Sequence, residues 1–150
     1  MKDSFLTQVK LMTTFSTSRK IEASPKTIFE AIQNPARLAK WWGPNGFTNT
    51  FQTFEFKPKG KWIFTMHGPD GKSYPNESVF SLIEINRKVV IQHICQPLFE
   101  LAITLIQEDK GTLVKWDQTF SDSSVASAVK HIVVPANEQN LDRLTREVLL

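Results

Sequence analysis

Three histidines, one cysteine and a few strand carboxylates are the residues of this chain with chemistry to offer a substrate. His67, His93 and His131 stand far apart, without the i, i+4 pairing or Cys/His clustering that holds a metal. No metal site and no cofactor is expected. His67 falls at a hairpin mouth and is read as solvated. His93 alternates with Ile91 and Cys95 and so faces the interior. A histidine satisfied within the core is the simpler reading; a ligand contact or a general base is the alternative. Glu77, Glu84, Glu100 and Asp117 lie in predicted strands. A carboxylate facing an apolar cavity has a raised pKa and can act as acid or base, but most strand carboxylates face water. Arg19 and Lys115 could hold an anionic head group, with solvent exposure as the plainer reading. Cys95 has no base beside it in sequence and reads as a small buried hydrophobe. Neither a Gly-rich phosphate loop nor a Gly-x-Ser-x-Gly elbow occurs. Catalytic residues are therefore unassigned.

The aromatic residues say more. Eleven Phe and four Trp accompany a single Tyr. Phe has no polar handle, so this excess favours an apolar interior over a wet protein–protein face. Trp41 and Trp42 are adjacent, and neighbouring side chains cannot share one face of a regular strand or helix. One ring is expected in the core and the other over an edge or cavity mouth, where a short helix runs out. Ligand pockets are apolar with a few placed polar groups. The candidate cavity residues are accordingly Trp41, Trp42, Phe54, Phe56, Trp62 and Phe64 from the first half. Phe99, Trp116, Phe120 and Leu144 join them from the second, with His93, Gln118 and Asn140 as the polar groups.

Composition bounds the function classes. The net charge of +3 is mild, and the densest basic cluster, Lys57, Lys59 and Lys61, reads as a solvated hairpin rather than a nucleic-acid stripe. A lone cysteine forms no internal disulfide, which points to a reducing compartment, the cytoplasm. No run approaches the roughly 18 apolar residues of a membrane span, and the N-terminus lacks a signal-peptide core. Residues 1–13 read as an N-terminal arm and residues 14–150 as a single domain, monomeric or homodimeric.

The elements that must position these residues can be read from punctuation and period. Thr14 to Glu22 favours a strand with Phe15, Thr17, Arg19 and Ile21 on one side. Ser24-Pro25 starts a helix carrying Ile28, Phe29 and Ile32, and Asn34-Pro35 ends it. A second short helix, Ala36 to Lys40, delivers the tryptophan pair. Strands follow over Thr48–Lys57, with Phe54 and Phe56 opposite Phe51, and over Lys61–His67, Tyr74–Ile85, Val89–Cys95, Phe99–Gln107 and Thr112–Phe120. Short turns such as Gly68-Pro69-Asp70-Gly71 join them. Val125, Val129 and Ile132 begin a helical segment. Pro135 is expected to kink or restart it, and Leu141, Leu144 and Val148 carry an amphipathic helix to the C-terminus with Arg143 and Arg146 on its polar side. The layout is α+β: a curved antiparallel sheet of about six to seven strands, with two short helices after the first strand and a terminal helix on one face.

Several motifs, in this order and spacing, resemble a known family. They are Ala23-Ser24-Pro25 with Ile28-Phe29, Asn34-Pro35 through Trp41-Trp42-Gly43-Pro44 to Gly46-Phe47, and Gly60-Lys61-Trp62-Ile63-Phe64. Met66-His67-Gly68-Pro69-Asp70-Gly71, Tyr74-Pro75-Asn76, Ile83-Glu84-Ile85 and Glu138 through Leu144 complete the set. Over residues 14–149 the chain resembles homologues of the activator of the heat-shock-protein-90 ATPase. These lie in the START-like (SRPBCC) helix-grip superfamily, with polyketide cyclases and birch-pollen-allergen-type carriers. The resemblance implies a helix-grip fold, a sheet bent around a C-terminal helix with a cavity between them, one end covered by residues 25–47. It also implies glycine where this chain has Lys59. The function implied is binding of a small hydrophobic or amphipathic ligand. A cyclase or hydrolase using His93 or a cavity carboxylate is one alternative, and co-chaperone contact with a heat-shock-protein-90 class chaperone another. The eukaryotic co-chaperone's separate N-terminal domain has no counterpart here.

Overall fold

Ser24 and Pro25 start the first helix by ordinary capping chemistry. Ser24 Oγ accepts from the Thr27 N–H at 3.1 Å and Pro25 takes the first helical position, so α1 runs Pro25–Gln33 with Ile28, Phe29, Ala31 and Ile32 buried. Asn34 ends α1 and caps its successor: Oδ1 accepts from the Ala36 N–H at 3.0 Å, and α2 spans Pro35–Trp41. The computed structural model describes residues 11–150, so the arm expected over residues 1–13 lies, up to residue 10, outside the described residues.

Seven strands form one antiparallel sheet. They are β1 (Thr13–Ile21), β2 (Thr48–Phe54), β3 (Lys61–His67), β4 (Ser73–Glu84), β5 (Lys88–His93), β6 (Phe99–Glu108) and β7 (Gly111–Phe120). Their spatial order is β1-β7-β6-β5-β4-β3-β2. Strands β2 to β7 form a meander of hairpins, and β1 closes the far edge beside β7, Thr17 opposite Trp116. The last element, α3 (Ser123–Leu149), is 27 residues long, about 40 Å at the standard helical rise. Asp122 Oδ1 caps it by accepting from the Ser124 N–H at 3.0 Å. Ala126, Leu141, Leu144 and Val148 are buried. This is the helix-grip arrangement the resemblance implies.

Side chains from β1 tie α3 to the sheet. Arg19 pairs with Asp142 at 2.6 Å and Glu138 at 3.3 Å, and Thr17 Oγ1 donates to Glu138. Arg19 is thus committed to the helix rather than to an anionic head group. At the other end Arg37 of α2 pairs with Glu147 at 3.0 Å. Between them lies an aromatic core. Trp62 stacks on Phe64 at 4.2 Å and on Phe80 at 5.8 Å, with Phe54 and Phe56 packed against Phe80.

The structure corrects the sequence reading in several places. Phe51 does not oppose Phe54. The β2–β3 register jumps between Phe51 and Thr53, a bulge that absorbs Gln52 and brings Phe51 onto Phe54 at 5.6 Å. Strand β2 stops at Phe54 rather than Lys57, and β5 at His93 rather than Cys95. In the intervening turn Lys59 has φ of +67°, the left-handed conformation that glycine adopts without strain, which accounts for the glycine implied there. Pro135 neither breaks nor restarts the terminal helix but sits inside α3. A proline removes one N–H and leaves the carbonyl four residues back unpaired. That carbonyl belongs to His131, and both residues are exposed, which lowers the cost of the lost bond.

Because Pro135 carries a helix-interior penalty at an exposed site, Pro135→Ala should stabilise the fold. The expected gain is about 1–3 kcal/mol by urea unfolding; unchanged or reduced stability would show that the proline shapes the helix to the sheet.

Candidate functional site

Five neighbouring strands each send an i, i+2 pair to the concave face, because side chains two apart on a strand point the same way. The pairs are Phe64 and Met66 on β3, Asn76 and Ser78 on β4, and Ile91 and His93 on β5. Phe99 and Leu101 on β6 and Trp116 and Gln118 on β7 complete them. They floor a cavity of about 240 Å³. One helical face of α3 roofs it: Ile132, Val133, Ala136, Asn137 and Asn140. Trp42, Gly43 and Pro44 close one end. Ile132 is 60 % exposed and stands at the rim.

Of the thirteen residues expected at a cavity, Trp42, Phe64, His93, Phe99, Trp116, Gln118 and Asn140 line this one. Trp41, Phe54, Phe56, Trp62, Phe120 and Leu144 pack elsewhere in the interior. The tryptophan pair divides its work. Trp41 is buried with Nε1 donating to the Ala31 carbonyl at 2.9 Å, while Trp42 meets Trp41, Trp62 and Trp116 at 5.7, 4.9 and 5.9 Å and presents a face to the cavity. The sequence reading missed Met66, Ile91 and Leu101, each two residues from a predicted lining residue and recoverable by that spacing. It also missed Asn76, Ser78 and Asn137, which carry no aromatic signal.

The end wall is held by α3. Asn140 Nδ2 donates to the Trp41 carbonyl at 3.0 Å and its Oδ1 accepts from the Gly43 N–H at 3.2 Å. Gln139 Oε1 accepts from the Asn45 N–H at 3.1 Å. Arg143, expected on the polar side of the helix, turns inward instead. Its Nη1 donates to the carbonyls of Trp42 (3.1 Å), Gly43 (2.9 Å) and Pro44 (2.9 Å), and its Nη2 to those of Lys40 (2.7 Å) and Phe47 (2.9 Å). Five carbonyls at the end of a short helix and its following loop need partners, and a planar five-donor fork supplies them. Burial lowers the Arg143 pKa below the usual guanidinium value, chiefly by desolvation, with Arg146 adding like-charge repulsion. A guanidinium remains charged nonetheless.

His93 is 7 % exposed and stacks on Phe99 at 4.4 Å. Nδ1 lies 2.7 Å from the Pro97 carbonyl and Nε2 lies 2.8 Å from the Asn76 amide oxygen and 3.4 Å from Cys95 Sγ. Desolvation lowers the pKa from 6.5, opposed by the ring's hydrogen bonds to the backbone of Pro97 and Cys95. Asn76 Nδ2 donates to the Tyr74 carbonyl at 2.9 Å, which turns its Oδ1 toward the ring. A neutral ring with Nδ1–H donates to Pro97 and leaves the Asn76 oxygen facing the Nε2 lone pair; only the protonated ring donates to both, which opposes the desolvation that favours the neutral form. Both nitrogens thus face protein atoms. Cys95, with no base next to it in sequence, meets His93 two residues away. Glu77, Glu84, Glu100, Asp117 and Lys115 do not line the cavity; Glu100 accepts from Gln92 at 2.6 Å and Glu84 pairs with Arg87 at 3.5 Å. Glu100 belongs to a second, open groove that also holds Met12, Thr14, Gln92, Ile94, Leu98 and Thr119. It shares the His93–Phe99 stack with the cavity.

A bent seven-stranded sheet gripping a long helix over an apolar cavity defines the START-like helix-grip class. Within it, this chain belongs to the family of Activator of Hsp90 ATPase homolog 1-like proteins, whose family model matches residues 22–148. Solved structures agree. A protein from Arthrobacter aurescens superposes with a TM-score of 0.83 at 19% identity, covering 95% of this chain and 92% of that one. A protein from Nitrosomonas europaea gives 0.82 at 13% identity, covering 91% and 94%. An AHSA1-like protein from Aeromonas hydrophila gives 0.72 at 17% identity, covering 91% and 92%. At these identities the likeness speaks for fold. A comparison with curated proteins found no match. No helix among the described residues is long and apolar enough to cross a membrane, and no cluster of three or more His, Cys, Asp or Glu residues there could hold a metal.

Arg143→Ala leaves several half-buried carbonyls without donors, each costing about 1–3 kcal/mol; unfolding free energy should fall by about 3 kcal/mol or more. Arg143→Lys should recover little, because an ammonium lacks the planar fork. Full recovery by lysine would mean charge alone matters. For His93 the lowered pKa means the fold favours the neutral ring. Its contribution is complete above the ordinary value of 6.5 and declines as pH falls through that value toward the folded-state pKa. The melting temperature should drop between about pH 7 and pH 5, and His93→Gln should flatten that drop; an unchanged slope in the variant would assign the effect to other groups.

Proposed function

We propose that this protein binds a small hydrophobic molecule in the cavity between the sheet and α3. The observation that carries the reading is the cavity itself: about 240 Å³, walled by aromatic and aliphatic side chains from five strands and one helix face, with a few amides and hydroxyls among them. Its volume lies just below the usual range for drug-sized ligands, which favours a compact molecule of one or two rings. Binding rather than catalysis is favoured because His93, the one titratable lining residue, has both nitrogens facing protein atoms. The family's helix-grip fold supports the same reading, and we place the protein in the cytoplasm as a monomer or homodimer.

The test is occupancy and its removal. Native mass spectrometry of freshly purified protein should show a co-purified small molecule, or the empty protein should take up the uncharged fluorophore N-phenylnaphthylamine with a blue-shifted emission. Ala136 lies on the roof, so Ala136→Phe fills the cavity from the helix side. It should weaken uptake about tenfold, equivalent to about 1.4 kcal/mol, while far-ultraviolet circular dichroism stays native. Undiminished uptake by the folded variant would remove the cavity as the site.

A further inference from the structure

The cavity contains no formal charge. None of its lining residues is Asp, Glu, Lys or Arg, and the one ionisable side chain, His93, is buried and held toward its neutral form. The nearby cations are spent: Arg143 on five loop carbonyls and Arg19 on Asp142 and Glu138 of α3. Yet the walls are not simply apolar. Ser78 (3 % exposed) stands opposite His93 in the β4–β5 register. Gln118 (8 % exposed) accepts from Asn137 Nδ2 at 3.1 Å through Oε1, leaving its amide N–H group as a donor. Both can exchange hydrogen bonds with a guest, and neither can neutralise one.

We infer that the site selects uncharged ligands, namely apolar ring systems bearing a carbonyl, hydroxyl or amide, and rejects carboxylates, phosphates and ammonium groups of the same shape. This deepens the reading of the cavity as a ligand site and rests on it. A charged guest would lose its hydration without meeting a counter-ion, which costs several kcal/mol. An uncharged polar group loses far less and recovers it through one or two hydrogen bonds at Ser78 or Gln118. A plain hydrocarbon fits but offers nothing to the Ser78 hydroxyl or the Gln118 amide N–H group. Discrimination against charge is therefore built from the absence of ions, and preference for a polar substituent from two neutral side chains on β4 and β7.

Three naphthalenes substituted at the same carbon separate the possibilities: acetonaphthone, naphthoate and ethylnaphthalene, titrated near neutral pH by displacement of N-phenylnaphthylamine. The ketone should bind about tenfold more tightly than the hydrocarbon, and the carboxylate more weakly than both. Ser78→Ala and Gln118→Met, made singly and together, should close the gap between ketone and hydrocarbon, by weakening the ketone and by tightening the hydrocarbon, which then leaves no polar group unpaired. Carboxylate binding equal to or tighter than the ketone's overturns charge rejection while leaving the cavity a ligand site. Ketone and hydrocarbon of equal affinity in the wild type overturns the hydrogen-bonding preference. If none of the three displaces the fluorophore, both this inference and the cavity reading fall. The wild-type comparison stands alone, so it holds even if a variant does not fold.

Discussion

Everything at the end wall of the cavity depends on how the carbonyls after α2 are satisfied. That helix has seven residues and ends at Trp41, and the chain must then turn through Gly43 and Pro44 into β2. A short helix and a turn expose a row of carbonyls facing inward. Arg143 and Asn140, one turn apart on α3, receive six of them between Lys40 and Phe47. Arg143 is directed at carbonyls rather than at a carboxylate; its charge sits against the negative end of the α2 dipole and the loop's own carbonyl dipoles. The same bonds that close off the loop also fix Trp42. The indole at the cavity's end wall is thus positioned from the helix that forms its roof.

Given that constraint, the cavity follows from side-chain volume. One transverse row of the sheet runs Phe54, Trp62, Ser78, His93, Phe99 and Phe120 through successive register pairs. Large rings fill both ends of the row, and Trp42 adds a further ring over Trp62 and Trp116. In the middle the row narrows to a serine, and α3 above the floor contributes Ala136 and Asn137 rather than larger apolar groups. Aromatic packing therefore supports the two ends of the row, and the smaller or polar side chains between them leave the space open. A helix that must lie flat on the rings cannot drop into the remaining space, so the space persists.

Much of the fold was legible from residue chemistry alone. Ser24, Pro25 and Asn34 declare two short helices through capping groups that act locally, and the structure places them as read. Alternation and Asp-Gly or Lys-Gly turns declare the hairpins, again because the signal is local. What was not legible involves partners distant in sequence. Gln52 is absorbed in a bulge by its pairing with β3, which reverses the face of Phe51. Arg143 looks like any solvated helix arginine until the loop about a hundred residues earlier is brought beneath it. The Cys95–His93 contact at 3.4 Å, by contrast, joins residues two apart, which strand alternation already places on one side. Pro135 looks like a helix breaker, and its penalty becomes tolerable only where His131 faces water.

The same separation explains why fold and ligand must be argued from different residues. Solved structures at 13% to 19% identity keep the backbone of this chain to TM-scores of 0.72 to 0.83. A helix-grip sheet needs only alternation, turns and an apolar helix face, and many side-chain sets satisfy those demands. The ten floor positions are under a different demand. They all point into one space, so each change alters its volume or its polarity directly, with little effect on strand pairing. Ser78 could become Phe without disturbing a ladder hydrogen bond, and the cavity would shrink. Gln118 could become Arg on the same backbone, and the cavity would acquire a charge. The shape and polarity of the cavity are therefore written in the i, i+2 pairs of β3 to β7 and in one face of α3, and in this chain those positions carry no Asp, Glu, Lys or Arg.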